Sequence, residues 1–175
     1  MIREARDEDF EVIASITNEY VRDTSIHFGY EPVSPDELRA SWREGAGRYP
    51  WLVAERHTGE AAVVIGYAKA GVWRARAAYR WTTEVGLYVA PVHHRRGVGR
   101  ALYTALLDEL ARRGFRSAIA GITLPNDASL ALHEALGFEP VGTVQDAGYK
   151  LGAWHAVAFF QKRFATGPEG PADLT

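Results

Sequence analysis

Residues 93–102, His-His-Arg-Arg-Gly-Val-Gly-Arg-Ala-Leu, set basic side chains around two glycines where an apolar helical pattern begins. A helix N-terminus presents N–H groups without intrahelical partners and a partial positive charge, and a phosphate satisfies both. Gly97 and Gly99 let the backbone pass close to such a group, and Arg95, Arg96 and Arg100 add charge-assisted donors. The run is not a P-loop, because no Lys-Ser/Thr follows the glycines. Nor is it a Rossmann fingerprint, which requires Gly-x-Gly-x-x-Gly after an N-terminal strand. An ordinary tight turn before a basic helix and a cradle for a pyrophosphate-bearing cofactor of another type both remain. The direct passage from strand to loop to helix favours the cradle. Upstream, Glu84 stands in Thr-Thr-Glu-Val-Gly-Leu-Tyr-Val; it is either an edge carboxylate in water or a partly desolvated base. Downstream, Ser129 and His133 lie four apart and share one helix face, and an imidazole titrating near neutral pH serves as acid or base. The segment Trp-Arg-Ala-Arg-Ala-Ala-Tyr-Arg, 73–80, places cations beside aromatics and suits an anionic or zwitterionic small molecule. His93, His94 and His155 make no metal-ligand spacing, and no metal is expected.

These residues need a scaffold, and the hydrophobic periodicity supplies one. A short strand, Ile-Arg-Glu-Ala, precedes a helix with Phe10, Ile13, Ile16 and Tyr20 at helical spacing. Ser34-Pro35-Asp36-Glu37 is a capping box with proline at the first helical position, opening a helix that carries Leu38 and Trp42 and ends around Gly45 and Gly47. Residues 51–55 and 61–71 flank Arg-His-Thr-Gly and read as a hairpin. Residues 79–89 form a strand whose internal Gly86 suggests a bulge or a close backbone approach. Val98, Ala101, Leu102, Ala105, Leu106 and Leu110 recur at helical spacing up to Gly114. A strand at 117–122, a helix at 126–138 closed by Gly137, and two last strands complete the order β-α-α-β-β-β-α-β-α-β-β. The expectation is an α/β fold: a mixed sheet with helices on both faces.

The totals bound the function. At 175 residues, 47% of them apolar, the chain suits one domain, expected over 1–164, followed by a loose Pro/Gly/Ala-rich tail at 165–175. A net charge of −2 argues against a nucleic-acid partner. The absence of cysteine excludes disulfides, thiolate catalysis and zinc–thiolate sites. Without a signal-peptide pattern or a long apolar run, a cytoplasmic protein with no membrane partner is expected.

Residues 84–110 followed by 124–138 resemble the acetyl-CoA-binding half of the GNAT-superfamily N-acetyltransferases. The family's loop, Gln/Arg-x-x-Gly-x-Gly/Ala, stands here as His94-Arg95-Arg96-Gly97-Val98-Gly99, with His94 in place of the usual Gln or Arg. Residues 48–55, 73–84, 124–138 and 147–161 further resemble the phosphinothricin and methionine sulfoximine acetyltransferase branch. The resemblance implies a GNAT fold, a twisted, mostly antiparallel mixed sheet with a β-bulge, that binds acetyl-CoA as cosubstrate. Its pantetheine arm would lie along Leu87-Tyr88-Val89, its pyrophosphate on the run from His94 to Arg100, and Asn126 and Ser129 would contact the arm. Glu84 and His133 are implied as catalytic, with the direction of proton movement at His133 open. Phe28, Arg74, Arg76 and Tyr79 match positions that hold an amino-acid-like acceptor, and Leu151 replaces a histidine of the phosphinothricin enzymes. The implied reaction moves acetyl from acetyl-CoA to the acceptor's α-amine by direct transfer in a ternary complex, with a homodimer as the assembly. A GNAT enzyme for another amine (polyamine, aminoglycoside or protein N-terminus), a non-catalytic CoA-binding protein and a nucleotide-binding module are the rivals.

Overall fold

A computed structural model describes residues 1–45, 47–59 and 61–164; the expected loose tail, 165–175, lies outside the described residues. In chain order the elements are β1 (Ile2–Glu4), α1 (Phe10–Asp23), α2 (Pro35–Glu44), β2 (Trp51–Thr58), β3 (Ala61–Val72), β4 (Thr82–Val89), α3 (Val98–Arg112), β5 (Ser117–Thr123), α4 (Asp127–Ala135), β6 (Glu139–Lys150) and β7 (Ala153–Arg163). The order is the one expected. Short 3₁₀ turns at Asp7–Asp9, Ala77–Tyr79 and Pro91–His93 are additions that hydrophobic periodicity does not reveal.

The strands form one seven-stranded sheet in the order β1-β2-β3-β4-β5-β7-β6. Every neighbouring pair is antiparallel except β4–β5, which is parallel. One face is covered by α3, whose Leu102, Leu106 and Leu110 pack against Ala68, Val85 and Ala118, with Leu132 of α4 alongside. The other is covered by α1 and α2, where Phe10, Ile13 and Leu38 meet Trp51, Val53 and Tyr67. The apolar stripes read from the sequence thus face the sheet from opposite sides. The α2 capping box forms as expected: the Glu37 N–H donates to Ser34 Oγ, and the Ser34 N–H donates to the Glu37 carboxylate.

The feature that positions the site is a separation of strands. β4 and β5 pair only from Thr82–Ser117 to Glu84–Ile119, while β5 continues alongside β7 as far as Thr123–Val157. Beyond Glu84, β4 therefore has a neighbour on the β3 side alone. This corrects the expected bulge at Gly86. The β3–β4 register runs without a shift from Gly66–Val89 to Val72–Thr83, and the irregularities lie instead at Ala54/Glu55 and within β6. Gly86 marks an opening on the β5 side, which a single strand's sequence does not distinguish from a bulge.

Candidate active site

The opening between β4 and β5 is the mouth of a cleft of about 510 Å³. Val85 to Val89 form one wall, His94, Arg95 and Gly97 to Arg100 the end, and Asn126, Ser129 and His133 the opposite side. Ala90 N–H donates to the Ile65 carbonyl, which fixes that pair as a bonded rung of the β3–β4 ladder. Antiparallel rungs alternate, so the N–H and C=O of Leu87, and those of Val89, point away from β3 and into the cleft. The Val89 carbonyl is already occupied: it accepts from the Tyr20 hydroxyl, and His94 Nε2 lies 2.9 Å from it and 2.8 Å from the Tyr20 oxygen. Leu87 and the Val89 N–H remain as a short strip of strand edge, the type of surface that an extended amide-bearing chain completes.

The loop at the end of the cleft is built on two left-handed residues, Arg95 at φ 58° and Gly97 at φ 78°. This alternation turns successive N–H groups toward one concave side and then passes directly into α3, so the loop and the helix N-terminus reinforce each other. The two glycines have different duties. At Gly97 a Cβ would meet nothing within 4 Å, and what requires glycine is the positive φ. At Gly99 a Cβ would lie 3.2 Å from Leu87 Cδ2, so that glycine lets α3 sit close against β4. Arg95 and Arg100 border the cleft, whereas Arg96 borders a smaller hollow with Met1, Ile2 and Glu55 on the far side of the loop. Three arginines close together in sequence are therefore divided between two surfaces, because the left-handed turns rotate successive side chains apart.

Asn126 caps α4, its side-chain oxygen accepting from Ser129 N–H at 3.2 Å, while it also borders the cleft. One turn on, His133 is 3% exposed and packs edge-on against Tyr103 and Phe138. Its Nδ1 lies 2.7 Å from the Ser129 carbonyl, which only accepts, so Nδ1 carries the hydrogen. Burial pulls the imidazole below its ordinary pKa, only partly offset by that bond, and leaves Nε2 unprotonated, 3.3 Å from the Tyr103 hydroxyl. Tyr103 borders the cleft and its phenol is pushed well above the ordinary tyrosine range by burial, so it stays protonated and can donate to Nε2. His133 is thus a neutral acceptor behind a tyrosine, a direction the sequence left open. Tyr103 itself is masked in the sequence by its place in the apolar stripe of α3.

On the α1/α2 face, Glu84 stands at the rim, one residue outside the cleft lining formed by Val85 and Gly86. Much of its surface is exposed, yet the wall around its carboxyl raises the pKa by desolvation, against the opposing pull of Lys69 and Arg74. Phe28 lies against the backbone of Gly148, where a Cβ would come within 2.5 Å of its ring. Lys150 fixes the approach to Phe28 by donating to the Val21 and His27 carbonyls. Arg74 stacks over Trp73 at 5.0 Å, and Arg74, Arg76 and Tyr79 are all exposed in the β3–β4 connection, outside the cleft lining. The sequence-derived acceptor residues are therefore not gathered around the cleft within one chain. Lys69, which sequence reasoning missed, is signalled only as a lone charge inside the apolar run of β3. Among the described residues no group of three or more His, Asp or Glu has the arrangement to hold a metal ion. Nor is any helix among them long and apolar enough to cross a membrane.

Residues 10–138 match the acetyltransferase (GNAT) family model. The chain belongs to that family. It is 45% identical over 163 residues to a phosphinothricin N-acetyltransferase of Streptomyces viridochromogenes, covering 93% of this chain and 87% of that one. It is 38% identical to an L-methionine sulfoximine/L-methionine sulfone acetyltransferase of Salmonella typhimurium, covering 91% and 92%. The crystal structure of a GNAT-superfamily phosphinothricin acetyltransferase from Sinorhizobium meliloti in complex with acetyl-CoA superposes with a TM-score of 0.90 at 36% identity, over 99% of this chain and 93% of that one. As a GNAT-family member on the phosphinothricin and methionine sulfoximine branch, this protein is an N-acetyltransferase.

Two outcomes follow from the geometry. Gly97→Ala forces an L-residue into the left-handed region at a cost of about 1–2 kcal/mol, and relaxation of the turn disperses the amide cradle. Calorimetric titration is expected to show acetyl-CoA binding weakened roughly tenfold with the helical circular dichroism unchanged. For His133, ¹⁵N NMR is expected to find the Nδ1–H tautomer persisting below the ordinary imidazole pKa of about 6.5. The sign follows from linkage: the folded state holds this proton less tightly than the unfolded chain. The contribution of His133 to stability is therefore full above about pH 6.5 and declines as the pH falls below it.

Proposed function

We propose that this enzyme transfers acetyl from acetyl-CoA to the α-amine of a small amino-acid-like acceptor of the methionine sulfoximine, methionine sulfone or phosphinothricin type. The observation that carries the reading is the strand separation beyond Glu84, which leaves unpaired backbone at Leu87 in line with the amide cradle at residues 95–100. The spacing suits a cofactor with an amide-bearing arm at one end and a pyrophosphate at the other. Acetyl-CoA supplies an acetyl thioester, whose C–S bond breaks as the new C–N bond forms. Leu87 N–H is positioned to donate to the thioester carbonyl as its oxygen gains charge. Glu84, with its pKa lifted by desolvation, accepts the proton that the acceptor's ammonium must shed to become a nucleophile. The Tyr103 hydroxyl borders the cleft and is the donor available to the departing sulfur, by turning its single hydrogen away from His133 Nε2. With no cysteine in the chain to carry the acetyl group, direct transfer in a ternary complex is the economical route.

The acceptor face favours an anion. Lys69 and Arg74 act on Glu84 there, and the S. viridochromogenes and Salmonella relatives are named for amino-acid-like substrates. The assembly we infer is a homodimer. β6 is an edge strand, and it and its turn expose Val141, Val144, Tyr149, Leu151 and, across the hairpin, Trp154. This is an apolar surface that a monomer rarely leaves in water.

A thiol-release assay with acetyl-CoA tests the acceptor class. Methionine sulfoximine, methionine sulfone and phosphinothricin are expected to exceed polyamines in kcat/KM by at least tenfold; a preference for polyamines would overturn the reading. Glu84→Gln is expected to lower kcat by about 10²–10⁴-fold, the range for loss of a general base, with acetyl-CoA affinity within twofold of the parent. Sedimentation velocity is expected to give a dimer that Trp154→Glu converts to monomer, together with a raised acceptor KM.

A further inference from the structure

We propose that Lys69 is a positioning residue for this reaction: its ammonium, laid beside Gly86 and braced on the Trp51 ring, holds the Glu84 carboxyl in its charged, proton-accepting form at neutral pH. The proposal rests on the reading of Glu84 as the base and concerns what keeps that base ready.

The geometry begins with register. Trp51 on β2, Lys69 on β3 and Gly86 on β4 are consecutive partners in one row across the sheet. All three point to the α1/α2 face, since Trp51 and Tyr67 belong to its core and alternate residues share a face. Gly86 has no side chain to occupy its place in the row. The Lys69 chain takes that space: its Cε and Cγ lie 3.7 and 3.8 Å from where a Gly86 Cβ would be. Its Nζ sits 4.8 Å from the Trp51 ring centroid, a cation–π distance that holds a flexible side chain in one orientation. Glu84 pairs with Gly71, so it is the diagonal neighbour of Lys69 on the same face, within reach of a long side chain. Tyr88 closes the row on the other side, where its ring edge also borders the Gly86 position.

Two cations act on Glu84, and their settings differ. Arg74 is exposed in a connection and its field is screened by water and salt. Lys69 is partly buried among aromatic rings, where a charge acts through a lower effective dielectric. The interaction is mutual: burial lowers the pKa of Lys69 and Glu84 opposes that, while burial raises the pKa of Glu84 and Lys69 opposes that. The other titratable groups near the pair are Tyr88 on β4 and His27 from the α1–α2 connection on the same face, and Tyr103 on α3 across the sheet. Burial pushes the Tyr88 phenol up to about 12 and holds that of Tyr103 higher still, so both are neutral. Burial, Lys69 and Lys150 together depress His27, which leaves it neutral as well. Lys69 is thus the one charged group among the described residues that touches the Glu84 surroundings from inside the sheet face.

The test compares Lys69→Met, which keeps the chain length and removes the charge, with Lys69→Arg, which keeps the charge. The Glu84 carboxyl is followed directly by ¹³C NMR titration in selectively labelled protein and assigned by its loss in Glu84→Gln. Lys69→Met is expected to raise the pH at which Glu84 titrates by about one unit, a tenfold change in its ionisation equilibrium, with Lys69→Arg restoring the parental value. The acid limb of kcat/KM is expected to move with it. A merely structural lysine would lower activity without displacing either titration. If Glu84 titrates at the parental pH in folded Lys69→Met, the proposal is overturned. If the carboxyl moves and the rate profile does not follow, the role of Lys69 stands and the assignment of Glu84 as base fails.

Discussion

The structure turns on a short stretch of backbone that the fold declines to pair. Once β5 leaves β4 after Glu84, the polar groups of Leu87 and the Val89 N–H face a cleft rather than a neighbouring strand. An unsatisfied peptide group is costly to bury and cheap to leave next to water or an incoming amide. The cleft therefore stays open, and what fills it best is a chain that offers amides at strand spacing. The ladder with β7, continuous from Ser117–Arg163 to Thr123–Val157, holds β5 in the sheet where it has parted from β4. α3 begins where β4 ends, after two left-handed residues, and aims its N-terminus at the same opening.

An aromatic row underlies the face opposite α3. Trp51 stacks on Tyr67 at 5.9 Å, Tyr67 on Tyr88 at 5.3 Å, and Tyr88 meets Tyr20 edge-on at 5.2 Å, with the Tyr20 hydroxyl joined to His94. The row runs from Lys69 near Glu84 to the loop that opens α3, so both ends of the proposed site rest on one strip. Its rings also set the electrostatics. By excluding water they raise the pKa of Glu84 and lower that of Lys69, and the two groups offset one another in a setting where neither would be charged as readily alone. His94 occupies a position that the family fills with Gln or Arg. Here it is spent on the Val89 carbonyl and Tyr20, anchoring the loop to α1 through Tyr20.

The order of elements, the two helix faces, the α2 capping box and the anion loop were all legible from local spacing, because each depends on neighbours within a few residues. Helix caps and left-handed turns are written in residue type at fixed offsets: Ser34 with Glu37, and Gly97 beside a helix start. The candidate cofactor contacts from Leu87 to Gly99 were legible for the same reason, and most of them line the cleft. Tyr103 and Lys69 were hidden because their importance comes from partners on other elements: His133 for Tyr103, and Trp51, Glu84 and Gly86 for Lys69. That the Arg96 side chain borders a different hollow from Arg95 and Arg100 was not legible, because a string of arginines carries no record of how the backbone rotates between them.

The sequence by itself determined that this chain is an α/β protein of the GNAT family with a glycine-bearing basic loop at 95–100 opening a helix, since helix periodicity, turn chemistry and the Gly-x-Gly spacing are local properties. Only the tertiary structure decided that the opening at Gly86 is a parting of strands and not a bulge, because register is a property of two chains of backbone side by side. The protonation of His133 likewise awaited the fold. An imidazole's charge is set by what surrounds it, and the burial and the Ser129 carbonyl that keep this one neutral converge only when α4 closes over Tyr103.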